Sequence, residues 1–505
     1  MTSAVLIVGA GPTGLTLACT IARAGVPVRI IDKSPAFHRT SRAKGPNQRS
    51  REVFADLGVA AELDAAGVER MVLRKYRGGV PLADAEIFAG AVPTPAAPYG
   101  RGLGIPQWRT EEILRAKLAE YGVEVELGCE VAGLTQDEEK ATVTLADGRG
   151  IEAAYVVGCD GGRSVLRKTL GVPFEGESDD EECMVIGDVE ADGLDRAYWH
   201  QWLDEDGAIM LWPIPGTRSW QLQGTPERDA GGRLVEPSLE TFQRLFDRHA
   251  RMPGVRLANP TWISTYRIHV RMAERFRVGR AFLAGDAAHV QPIAGGLGMN
   301  TGVQDAFNLG WKLALVAKGQ AGEGLLDTYE EERLPVAAWT LRTTDERMRV
   351  VREAVKEAGV GTEVVIDDAA TTLGVGYRWS SLARGGQTAG DRAPDAPCVD
   401  VVTGRPVRLF DVFAGPRFTL LGFGEDSSKA LAEVAGECGA LVRICPVDGG
   451  PGEGVADPEG HARAAYGVVE GRGGLVLVRP DNHIALSAAA DRGADVIDCL
   501  RRLGR

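Results

Sequence analysis

The chain has 505 residues, 44% hydrophobic and 25% charged, with a mean hydropathy of −0.10. That is the balance of an ordinary globular protein, long enough for about three domains and a sizeable core, which excludes fibrous, disordered and disulfide-stapled classes. A net charge of −13 with no long Lys/Arg block argues against nucleic acid and against anionic membrane surfaces as partners.

Residues 4–22 carry no charge. No basic stretch precedes them, and Gly9, Gly11, Pro12 and Gly14 interrupt them, so neither a signal peptide nor a spanning helix is expected. Ala4–Val8 instead reads as a buried strand, Leu15–Ala24 as a helix ended by Gly25, and Val26–Asp32 as a second strand. Together they make one β-α-β unit. Ile105–Tyr121 reads as helix. Val123–Leu127, Val131–Leu134, Ala141–Leu145 and Tyr155–Gly158 read as strands. Residues 176–266 alternate apolar and polar positions and hold five of the nine tryptophans, Trp199, Trp202, Trp212 and Trp220 close together among them, which predicts an inserted, mostly antiparallel β domain. Arg280–Asp286 returns to the buried-strand pattern. Helices are predicted over Val303–Lys318 and Leu325–Glu357, with Pro335 kinking or breaking the second. The Gly/Ala/Pro-rich residues 380–397 read as a linker. Beyond them, Phe418–Phe423, Leu441–Cys445 and Leu475–Val478 predict a small α/β domain.

Gly9-x-Gly11-x-x-Gly14 lies between the first strand and the first helix. In that setting the three glycines permit a tight turn, close approach of backbone to a pyrophosphate, and close helix–strand packing, while the helix N-terminus offers unpaired N–H groups to the phosphates. Asp32 closes the second strand where a carboxylate can reach a ribose hydroxyl. Asp160 and Asp286 each follow a buried strand, and ligands of open α/β sheets sit at the carboxyl ends of the strands. Each acid alone could simply cap a turn. The run from Gly285 to Gly302, with Gly295, Gly296, Gly298 and Gly302 leading into a helix, makes convergence on one cofactor the better reading. No second glycine-rich β-α-β unit appears, so a nicotinamide would bind transiently. The eight cysteines include no C-x-x-C pair, which disfavours a metal site or a redox dithiol and suggests reduced thiols and a cytoplasmic home.

With these motifs (GAGPTG and Asp32, CDGGRS at 159–164, GDAAHVQPIAGGLGMNTGVQDAFNLGWKLA from Gly285, QWRTEEIL at 107–114 and LDTYEEERL at 326–334) the chain resembles the single-component FAD-dependent aromatic hydroxylases. The likeness is strong over residues 1–345. From about 390, as Arg479-Pro-Asp-Asn-His-Ile-Ala485 suggests, it is similar to the thioredoxin-like tail of the phenol hydroxylase and aromatic polyketide hydroxylase branch.

The resemblance implies an α/β fold: a Rossmann-type FAD-binding domain (1–175 and 267–380), a substrate-binding β domain (176–266, joined by residues 71–105) and a thioredoxin-like domain (390–505). It also implies tight, non-covalent FAD held by Gly9, Gly11, Thr13, Gly14, Asp32, Lys33, Arg42, Gln107, Val131, Asp160, Asp286 and Pro292, with backbone groups of Leu297, Gly298, Met299 and Asn300 at the flavin edge. NADPH or NADH would reduce the flavin, O2 would add to give a C4a-hydroperoxide, and an aromatic small molecule would be hydroxylated. Lys44, Asn47, Trp212, Gln221 and Gln223 are candidates to line the substrate site. No general base is evident, because Lys44 stands where relatives acting on small phenols carry an acid, and His289 reads as a helix-packing residue. Three alternatives stay open: Baeyer–Villiger or epoxidising chemistry, a halogenase (disfavoured, since Trp212-Pro-Ile-Pro keeps only half of the W-x-W-x-I-P signature) and a non-catalytic FAD-containing binding protein. A monomer or a homodimer is compatible with everything above.

Overall fold

Val5, Leu6 and Ile7 are fully buried, so the strand that holds them, β1 (Ser3–Val8), belongs inside a sheet covered on both faces. Helix α1 (Pro12–Ala22) carries the chain to β2 (Val28–Ile31), parallel to β1. Helices α2 (Gln48–Asp56) and α3 (Ala60–Ala66), the hairpin β3 (Val72–Arg77) and β4 (Val80–Glu86), and helix α4 (Gln107–Glu120) follow. Strands β5 (Val125–Glu126), β6 (Val131–Gln136), β7 (Ala141–Leu145) and β8 (Gly150–Gly158) lead to helix α5 (Val165–Thr169). The computed structural model describes residues 3–40, 42–87, 91–205, 207–292, 296–356, 368–449, 454–469 and 471–504. Gly295 and Glu357, both used above, lie outside them.

Strands β9 (Phe174–Ala191), β10 (Tyr198–Asp204), β11 (Gly207–Pro213) and β12 (Ser219–Gly224), helix α6 (Leu239–Ala250) and β13 (Leu257–Ala273) come next. The sheet runs β13-β9-β12-β11-β10-β3-β4, antiparallel except for β10 against β3. Two readings need correction. The stretch contains a helix that alternation concealed: Ser238 caps α6 by accepting from the Thr241 N–H, and Phe242, Leu245 and Phe246 seat it on one face of the sheet. The strands also run past the expected limits, to Phe174 and Ala273.

Strands β14 (Arg277–Val278), β15 (Ala281–Leu283) and β16 (His289–Val290) precede α7 (Leu297–Ala317) and α8 (Asp327–Lys356). The first sheet is thereby completed as β14-β15-β8-β1-β2-β5, with β7 bridging β8 and β6. Helix α7 begins at Leu297, six residues before the predicted start. It lies close against α1: a Cβ at Gly302 would stand 2.4 Å from Thr13 Oγ1, and one at Gly310 would stand 2.6 Å from Thr20 Cγ2. Helix α8 runs through Pro335 instead of breaking there. Proline has no N–H for the Glu331 carbonyl, and the Trp379 indole N–H donates to that oxygen at 2.9 Å. No helix among the described residues is long and apolar enough to cross a membrane.

The last domain comprises β17 (Pro397–Asp400), β18 (Pro406–Arg408), α9 (Leu409–Phe413), β19 (Phe418–Phe423), α10 (Ser428–Cys438), β20 (Val442–Val447), β21 (Val455–Ala456), α11 (His461–Ala465), β22 (Gly474–Val478), β23 (Ile484–Ala489) and α12 (Gly493–Arg501). Its sheet order is β18-β17-β21-β20-β19-β22-β23. The expected linker is not a free tether. Ala389, Ala393, Asp395 and Ala396 are buried, Arg392 pairs with Glu52 at 2.7 Å, and Ala393 N–H donates to Asn482 O. Arg479 and Asp481 join a dry network with Glu332, Lys312 and Asn308, which fastens this domain to α7 and α8.

Candidate functional site

The parallel register sets the geometry. Val8 pairs with Ile31 and with Gly158, and Gly158 with Leu283. The carboxyl ends of four neighbouring strands therefore form one rim, and Asp32, Asp160 and Asp286 all leave from it. The glycine turn after β1 forms its floor. Gly9 has φ +106, and a Cβ there would stand 2.3 Å from Cys159 O; at Gly14 it would stand 2.0 Å from Gly9 O. Gly11 differs, for nothing lies within 4 Å of its Cβ position.

Asp32 orders this floor by accepting from Ala10 N–H and Ser34 N–H, both at 2.8 Å. Asp160 caps α5 through one oxygen, accepting from Val165 N–H at 2.7 Å. Its other oxygen is buried and has no partner among the described residues. Asp286 is exposed to the cleft and has no hydrogen-bond partner among the described residues; its enclosed setting raises its carboxyl, against the opposing charges of His289 and Arg42. Thr13 sits where Gly285 and Gly302 lack a Cβ.

Around the rim, Gln107 accepts from Ala43 N–H at 3.2 Å and donates to Glu111 at 2.8 Å. Burial pushes the Glu111 carboxyl up to about 7, against Gln107 and Arg115. Arg42 is exposed, with no ion pair among the described residues, close enough to Glu111, Asp286 and Tyr266 to act on all three. Val131 opens β6 and is buried, while Lys33 is exposed beyond Asp32. The sequence reading missed Glu111, although it lies one helical turn after Gln107, and Tyr266, whose only signal is three-dimensional.

Opposite the rim, the first turn of α7 presents Leu297, Gly298 and Met299 with Gly296 at the cap, and no side chain among the described residues caps its leading N–H groups. Asn300 braces the turn, donating to Gly296 O at 2.7 Å and accepting from Asn47 N–H at 2.9 Å. Pro292 is buried. Behind the turn, Asp305 accepts from Arg333 at 2.7 Å, contacts His289 Nε2 at 2.7 Å and accepts from Gly285 N–H at 3.0 Å, with all three side chains fully buried. The charges of Arg333 and His289 hold the Asp305 carboxyl at about 2. His289 thus fixes the loop to the helix.

The face of the β13–β4 sheet opposite α6 completes the cleft. Strand alternation puts Trp202, Trp220, Ile209 and Leu211 against α6 and turns Trp199, Gln201, Trp212, Gln221, Gln223 and Asp188 the other way. Trp202 and Trp220 pack against α6, and Trp212, on the opposite face, is also fully buried. Lys44 reaches this face, its Nζ 5.2 Å from the centre of the Trp199 ring. Asn47 does not: its side chain caps α2 through Ser50 N–H and donates to Ala370 O and Thr372.

The comparisons with known proteins agree with this architecture. Residues 2–344 match the model of an FAD binding domain, and residues 387–504 that of the aromatic-ring hydroxylase C-terminal domain. The chain belongs to the family of flavin-dependent aromatic-ring monooxygenases. It is 40% identical, over 99% of both chains, to a flavin-dependent monooxygenase of Mycobacteroides abscessus. It is 36% identical to the 6-methylpretetramide 4-monooxygenase of Streptomyces rimosus, covering 95% of this chain and 90% of that one. A solved ternary complex of aklavinone-11 hydroxylase with FAD and aklavinone is similar with a TM-score of 0.84 and 30% identity, over 100% and 99% of the two chains.

Proposed function

We propose that this monooxygenase uses NADH or NADPH and O2 to hydroxylate a phenolic or polyketide-type aromatic small molecule. The observation that supports the reading is the rim, where Asp32, Asp160 and Asp286 leave neighbouring strand ends, with Lys44 reaching from beside it to Trp199 on the sheet face. The rim fits FAD. Open space stands over Gly11, Asp286 and Arg42 stand at the rim without an ion pair among the described residues, and α7 presents its positive end. In this reading Asp32 and Val131 hold the adenosine end, and Gly11, Arg42 and Gln107 the diphosphate, with Lys33 near it. Asp160 and Asp286 take the hydroxylated chain, and Pro292 packs on the flavin ring. FAD, once bound, supplies hydride acceptance and oxygen activation. The first turn of α7 stabilises negative charge at the ring edge, and Trp199 and Trp212 help to keep water from the reacting centre.

Two measurements check this reading. Flavin-loaded protein should oxidise nicotinamide faster in the presence of one or more members of a panel of phenols and hydroxylated polycycles, with a product heavier by one oxygen on the ring. Lactone products would instead indicate Baeyer–Villiger chemistry. In addition, ionising Glu111 adds negative charge beside the diphosphate path, so FAD binding should weaken about three- to tenfold as pH rises from 6 to 8. Glu111→Gln should flatten that profile, and an unchanged slope would place the diphosphate elsewhere.

A further inference from the structure

Residues 43–47 are held from both sides by backbone contacts. Ile105 N–H donates to Lys44 O at 2.8 Å, and Asn47 N–H donates to Asn300 on the first turn of α7. Lys44 therefore lies between the proposed flavin edge and the sheet face. Its ammonium stands over the Trp199 ring, and no carboxylate comes within ion-pair distance of it among the described residues. Gln201 Oε1 and Trp199 Nε1 are both buried without a hydrogen-bond partner among the described residues. Lys75, paired with Gln201 in the β3–β10 register, is already engaged by a neighbour. Enclosure lowers the Lys44 ammonium to about 7, against the charge of Asp188. A half-enclosed cation above a ring, with no ion pair among the described residues, is costly unless a ligand supplies a charged acceptor.

We propose that Lys44 anchors an ionised phenol or enol oxygen of the substrate, so that the chain selects aromatic molecules bearing an acidic hydroxyl next to the flavin edge. The inference rests on the hydroxylase reading above and names the group that reading lacks. The acidic hydroxyl gives its proton to solvent, and its oxygen then takes the lysine as counter-ion while the ring lies against Trp199. With Lys44 the charged partner, no carboxylate base is needed at this position.

The test uses holoenzyme and two probes, 1,8-dihydroxyanthraquinone and its dimethyl ether, with binding read from perturbation of the flavin absorption band and quenching of tryptophan fluorescence. Wild-type protein should bind the dihydroxy probe at least about tenfold more tightly than the ether, the gain expected of one charge-assisted hydrogen bond. Lys44→Met and Lys44→Gln should bring the two affinities together, and Lys44→Arg should keep most of the preference, all with the flavin spectrum unchanged. A wild-type protein that does not prefer the dihydroxy probe, or a preference that survives in Lys44→Met, overturns the proposal. Failure of the hydroxylase reading shows separately, as absence of oxygenated product across the panel while this binding ratio persists.

Discussion

Replacing Gly11 by alanine is expected to leave the fold intact and to cost the protein its flavin. Gly11 has φ −76 and ψ −176, an extended conformation open to any residue, and its added Cβ would meet no protein atom within 4 Å. The methyl group would instead stand in the space proposed for the diphosphate, blocking backbone N–H contacts. Losing one or two hydrogen bonds to a charged group should weaken FAD binding by ~3 kcal/mol, more than a hundredfold. Gly9→Ala makes the control. Its left-handed φ and its collision with Cys159 O disturb the protein itself, so it should lose thermal stability even without flavin. The pair is checked by flavin titration and by melting of the flavin-free protein. Equal FAD affinity in Gly11→Ala and wild type would remove the nucleotide from this turn.

The second large effect is expected from Glu332. Its carboxylate accepts from Lys312 at 2.7 Å, from Arg479, from Asn308 at 2.6 Å and from Ser380 at 2.7 Å, and it is fully buried, as are Lys312 and, nearly so, Arg479. Glu332→Ala leaves Lys312 without its carboxylate in a dry interior and Arg479 with Asp481 alone, a change that destabilises by about 3–5 kcal/mol. The network joins α7 and α8 to the C-terminal domain, so the loss should appear as an earlier denaturant midpoint and as faster proteolysis between residues 380 and 397. The cations hold the Glu332 carboxyl far below its ordinary range. A depressed folded-state value means that the contribution is complete above the unfolded pKa near 4.3 and fades as pH falls below it. Wild-type protein should therefore lose stability in acid more steeply than Glu332→Ala. Parallel acid profiles would show that the pair contributes little.

What was legible in the sequence was short-range. The glycine turn, the buried strands and the acids at their carboxyl ends could be read because each signal spans only a few residues, and the parallel register then brought Asp32, Asp160 and Asp286 to one rim. The start of α7 was hidden because Gly298 and Gly302 dilute the helical pattern, although those small residues are what let the helix approach α1 and the cleft. Of the kink or break expected at Pro335, the break did not occur, because Trp379, far along the chain, satisfies the orphaned carbonyl. The linker reading took glycine and alanine content for freedom, when the small residues were there to pack. The meeting of Lys44 with Trp199 joins two domains, and no local pattern announces such a contact.

The most direct test of the whole account is a turnover under heavy dioxygen, with FAD-loaded protein, reduced nicotinamide and an accepted aromatic probe. The expected product carries one heavy oxygen on its ring, with one nicotinamide oxidised for each. A product labelled only from water, or nicotinamide oxidation that yields hydrogen peroxide alone with every probe, would contradict it.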